Sequence, residues 1–157
     1  MSPRAQLAAL VGVFLGGALP MLEAVIVIPG AIVARVNPLA AFTAGVAGNL
    51  LTVALAAWGG DRLRVWWRAR RGRSDDGAPG ADADGPPGRA RRVLDRWGLL
   101  GLAVLGPLGL GTQASVLVAL GIGTPAHRAF TWVAAGTVGW AAISALAAAA
   151  GAGALFA

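Results

Sequence analysis

Residues 5–34 read AQLAALVGVFLGGALPMLEAVIVIPGAIVA, thirty residues whose only charge is Glu23 and whose apolar run is broken by Gly16-Gly17, Pro20 and Pro29-Gly30. At ~1.5 Å rise per residue, one helix of this length overshoots a hydrocarbon core of ~30 Å, while two spans of ~20 residues plus a turn do not fit. A proline inside a helix deletes a donor and clashes with the preceding turn, at a cost of about 3 kcal/mol. Together these facts predict two half-helices joined by an irregular tip, with breaks at Pro20 and Pro29. Such a hairpin enters a bilayer and leaves on the same side, and its exposed backbone is tolerable only where protein or trapped water satisfies it. The alternative is one tilted, kinked crossing. Arg4 and the apolar run after it resemble a leader peptide, but apolar character continues through Pro20 to Ala34, so this stretch is read as membrane segment.

Residues 97–126 repeat the pattern, broken by Pro107 and the glycine-rich stretch 106–111. Each broken stretch is followed by a clean one. Residues 36–58 and 129–150 carry no charge and are each long enough to cross a bilayer. In the first, Asn37 can cap the helix and Pro38 suits its first turn. Pro20 and Pro38 recur 87 residues later as Pro107 and Pro125, and Phe42-Thr43 and Gly48 recur 88 residues later as Phe130-Thr131 and Gly136. The predicted fold is an all-α integral membrane protein of two inverted repeats, each a re-entrant broken-helix hairpin plus one transmembrane helix, an arrangement recurrent among transporters. Its parts are residues 1–60 (hairpin 5–34, span 36–58), a linker 61–96, and residues 97–157 (hairpin 97–126, span 129–150).

Composition agrees. Hydrophobic residues make up 57% of the 157 and charged residues 13%, far from the balance of a soluble domain. Outside residues 61–96 the only charges are Arg4, Glu23, Arg35 and Arg128. Ten of the thirteen arginines lie between Arg62 and Arg96, which reads as a positive-inside signal placing that loop in the cytoplasm rather than as a nucleic-acid surface. Many arginines without a lysine, in an Ala- and Gly-rich chain, point to a bacterial protein and so to the inner membrane. Residues 61–71 alternate Leu63, Trp66 and Trp67 with arginines, as an interfacial helix does. Residues 72–88, with five Gly, three Pro and four Asp, read as disordered. Trp58, Trp66, Trp67 and Trp97 are the expected membrane-interface residues.

Glu23 is the residue most in need of explanation, because a carboxylate at membrane depth is costly. It can bind and release a proton, face a cation, or simply cap a half-helix in a wet tip. Gly111, Thr112, Gln113 and Ser115 offer polar groups at the second break and are expected to share a cavity with Glu23. Asn49, Thr52, Thr137 and Ser144 are weaker candidates that also serve as packing contacts. Gly12/Gly16, Gly45/Gly48 and Gly136/Gly139 permit close helix approach. With no Cys and one His, next to Arg128 at a segment junction, a zinc site is not expected. Without lysine there is no Walker-type phosphate loop, and no nucleophile, base and orienting group occur together, so no enzyme activity and no cofactor are expected.

The chain resembles the family described as small multidrug export proteins, itself distantly similar to DedA-like membrane proteins with re-entrant hairpins. The resemblance is carried by Pro20-Met21-Leu22-Glu23 followed by Ile28-Pro29, by Gly48-Asn49, by Trp97 to Leu102, and by Pro107-Leu108 with Gly111-Thr112. It implies export of small molecules, and the DedA-like kinship implies movement of a lipid or lipid-linked carrier. An Arg-Gly-Gly of the family pattern is Val25-Ile26-Val27 here, leaving Arg35 as the nearest cation for Glu23. The expectation is a secondary transporter that assembles as a homodimer or larger oligomer, because two full spans enclose little. A lipid translocase and a non-transporting membrane scaffold are the rivals.

Overall fold

The computed structural model describes residues 2–20, 22–70, 101, 104 and 111–156. Trp97, Pro107 and most of the linker lie outside them. The described residues form five principal helices, α1 (Pro3–Ala18), α2 (Glu23–Val33), α3 (Pro38–Arg70), α4 (Thr112–Gly121) and α5 (Ala126–Phe156). Local chemistry sets their ends. The Ser2 hydroxyl accepts from the Ala5 amide at 3.3 Å and Pro3 opens α1, where its missing N–H costs nothing. Asn37 Oδ1 accepts from the amides of Leu39 at 3.0 Å and Ala40 at 3.1 Å, starting α3 where the sequence predicted.

α1 and α2 fold back on each other. Val13 and Ile28 both pack at Gly45 of α3, and Gly16 meets Val27, although an unbroken helix would hold Val13 and Ile28 ~22 Å apart. α1 ends at Ala18 and α2 begins at Glu23, so the chain breaks around Pro20 as expected. Pro29 breaks nothing, because α2 runs through it to Val33. It removes one backbone bond from a helix whose fully buried Ala24 and Ile28 are held by packing, and that outweighs the lost donor.

α3 also departs from expectation. The predicted span 36–58 and the separate interfacial helix 61–71 form one helix of 33 residues, ~50 Å long, that passes through Gly59-Gly60. Two glycines cost only about 2 kcal/mol of helix propensity. Gly60 compensates by packing on Leu117 and Leu120. At the far end, Arg64 donates to the Leu120 carbonyl at 3.1 Å, where α4 ends, and to Asp61 at 2.9 Å. Trp58 meets Phe130 at a centroid distance of 5.2 Å, so α5 starts beside the distal part of α3 and runs back along it.

Two apolar clusters follow from this topology. One gathers Val13, Ile28, Ile32, Val36, Ala41 and Val46, and the other Val53, Val116, Ala119, Leu120 and Val133. Asn49 lies between Val46 and Val53, at the seam. Among the described residues two helices are long and apolar enough to cross a membrane, Pro38–Trp67 and Ala126–Ala152, and only 33% and 22% of their most apolar windows are buried. Large side chains face outward along both, with Leu39 71% and Leu146 72% exposed. A soluble monomer rarely displays so much apolar surface.

Candidate polar site at the meeting of two helix starts

α2 and α4 begin close together and diverge. Glu23 opens α2, Thr112 opens α4, and Glu23 Oε1 accepts from the Thr112 amide at 2.6 Å. The contact lies at Asn49, ~16 Å along α3 from Pro38 and about half-way along the apolar stretch ending at Trp58. α2 leads from here to the turn before α3, and α4 leads to Arg64. The start of α4 therefore presents the Thr112 amide and a positive dipole end to a carboxylate that itself sits in the first turn of α2.

The Thr112 hydroxyl is the hub of the surrounding network. Asn49 Nδ2 donates to it at 3.2 Å, and it donates to Gln113 Oε1 at 3.1 Å. Gln113 Nε2 in turn donates to Thr52 Oγ1 at 3.0 Å. Glu23, Asn49 and Thr112 are buried, with Glu23 only 5% exposed. Among the described residues Glu23 Oε2 is buried without a hydrogen-bond partner. A buried polar atom left open in this way asks for a role, because desolvation without compensation is expensive. Strain adds to the cost. Glu23 adopts φ 42, a left-handed backbone that a residue with a Cβ pays roughly 1–2 kcal/mol to hold.

The structure thus brings together Glu23, Gly111, Thr112, Gln113 and Asn49. Thr52, which the sequence ranked low, joins them; its spacing of three from Asn49 puts both on one helix face, which was the available signal. Ser115 is not part of the network, since its hydroxyl donates to the Gly111 carbonyl at 2.8 Å within its own helix. Thr137 and Ser144 likewise bond their own helix, to Val133 and Ala141. Arg35 does not serve Glu23. It is exposed at the opposite end of α2, ~18 Å away along the axis, because a helix separates the two residues. Trp58, Trp66 and Trp67 are exposed, with the Arg70 guanidinium 4.1 Å from the centre of the Trp66 ring.

Chemically, the cluster can hold a proton or a small cation against a carboxylate inside an otherwise apolar layer. Among the described residues no three His, Cys, Asp or Glu side chains come together as a metal site would require. A shallow groove of about 300 Å³ on α3, lined by residues such as Leu55, Trp58 and Arg62, shares no lining residue with the cluster. Replacing Asn49 by alanine is expected to lower stability by about 1–2 kcal/mol, read by denaturant titration in detergent. A typical interhelical bond in a membrane contributes about 0.6 kcal/mol, but this change also leaves a cavity at the seam. No family model, curated protein or solved structure matches this chain.

Proposed function

We propose that this protein is a secondary transporter of the bacterial inner membrane, exporting small molecules with Glu23 as its proton-coupling carboxylate. The observation that carries the reading is the buried Glu23 side chain with one oxygen fixed and the other open, where two helix starts meet mid-way along an apolar span. Ionisable groups in that setting mark ion pathways and proton relays. Broken helices whose ends face a mid-membrane site are the recurrent construction of alternating-access carriers. The α1–α2 pair acts as the re-entrant hairpin of the first half, and α4 is the returning arm of the second. Residues 61–96 lie on the cytoplasmic face, and the family resemblance at Pro20 to Glu23 and Gly111-Thr112 points the same way.

Reconstitution tests the function. Wild-type vesicles are expected to show pH-gradient-dependent flux of a small solute, and Glu23→Gln vesicles none. Altered accessibility of labelled lipid headgroups without solute flux would replace the reading with lipid translocation. Topology is tested separately in this Cys-free chain by impermeant labelling of single cysteines. Arg4→Cys and Ala34→Cys are expected to label from one side and Arg70→Cys and Arg128→Cys from the other. Labelling of Arg4→Cys and Ala34→Cys from opposite sides would make residues 5–34 a crossing and remove the hairpin.

A further inference from the structure

The described backbone uses one pattern twice. Only four of its residues have positive φ, Glu23 (42°), Arg35 (64°), Gly111 (82°) and Gly123 (98°), and the second pair follows the first by 88 residues at both places. Hydrogen bonds keep the same register. Val36 to Ala31 and Arg35 to Ile32 close α2, and Thr124 to Ala119 and Gly123 to Leu120 close α4, in each case amide to carbonyl. Burial repeats as well, with Ala24 and Thr112, Ile28 and Val116, Asn49 and Thr137, and Val53 and Ala141 all within 1% of complete burial.

In this register Glu23 corresponds to Gly111, and the two positions face each other. A Cβ built on Gly111 would lie 3.3 Å from Glu23 Oε1 and 3.6 Å from the Pro20 carbonyl. Two equivalent positions thus open onto a space that one side chain already fills. We propose that residues 23 and 111 are the same position of a unit used twice, and that together they form one carboxylate seat, which either half of the chain can supply. Glu23 fills the seat from the first half and serves the Thr112 amide. An acidic side chain at 111 would fill it from the second half and serve the Ala24 amide, the counterpart of Thr112. Residue 111 is glycine because the seat holds one side chain, as well as because φ 82° favours glycine.

The test is to move the carboxylate across. Glu23→Gly, Gly111→Glu and the double variant are compared in detergent by thermal unfolding, with amide exchange followed at Ala24 and Thr112. Each single change is expected to lower Tm, the first by emptying the seat and the second by crowding it and by placing a side chain on glycine-only backbone. The double variant is expected to recover more than half of the Tm lost in Glu23→Gly, with the Thr112 amide exchanging faster and the Ala24 amide slower than in wild type. Glu23→Gly/Gly111→Asp serves as a second version, because its shorter side chain crowds the Pro20 carbonyl less. Tm losses that simply add in both double variants, or an Ala24 amide that gains no protection, would overturn the equivalence. None of these readouts depends on flux, so this inference and the transport reading fail separately.

Discussion

Vesicles carrying Glu23→Gln are expected to show solute flux no greater than empty vesicles, while the protein keeps its fold. Glutamine has nearly the shape of glutamate and its carbonyl oxygen can still accept from the Thr112 amide, now at 2.6 Å from Glu23 Oε1. What it cannot do is gain or lose a proton, so any cycle driven through this side chain stops. Glu23→Asp separates position from charge. It tolerates the positive φ better than glutamate does but withdraws the carboxylate by ~1.5 Å, one carbon–carbon bond, and should retain reduced flux. The measurements are gradient-driven uptake and thermal unfolding on the same preparations. Full flux in Glu23→Gln would end the carboxylate's role, and an unfolded variant would show that the group is a structural cap.

The largest effect on stability is expected from Gly48→Val. A methyl group at Gly48 would overlap the Phe14 carbonyl, and one at Gly17 would overlap the Gly45 carbonyl, so α1 touches α3 backbone to backbone at Gly45 and Gly48, about one turn apart on α3. Overpacking a tight contact costs typically 1–3 kcal/mol. Here the obstacle is main chain rather than a side chain that can rotate away, so a loss of about 3 kcal/mol is expected. The detergent-solubilised variant should unfold at lower denaturant concentration and expose the α1–α2 pair to proteolysis. Gly12→Ala is the control. Nothing lies within 4 Å of a Cβ there, so stability should stay level or rise with helix propensity. Equal effects of the two changes would refute the close approach.

How far the chain could be read in advance depended on contrast. Glu23 and the Gly111 to Gln113 patch stood out because polar groups are rare in apolar runs, and they do meet. Asn49 and Thr52 were harder to weigh because the same residue types serve as packing contacts, and only their partners, 63 and 61 residues away, separate the two uses. Pro29 and Gly59-Gly60 misled for the opposite reason. Their local cost is real, but tertiary burial around Ile28 and the contact of Gly60 with Leu117 and Leu120 exceeds it. The glycine spacing Gly12/Gly16 suggested a helix contact, yet Gly12 faces open space and Gly17 carries the approach to Gly45. Arg35 was linked to Glu23 by proximity in sequence, and an intervening helix separates them in space.

The absence of a joint at Gly59-Gly60 has a mechanical consequence. A rod continuous from Pro38 to Arg70, gripped by Arg64 at the end of α4 and bonded through Asn49 at its start, transmits tilt instead of absorbing it. Whatever pushes on the arginine-bearing end turns about the same fulcrum that holds the carboxylate.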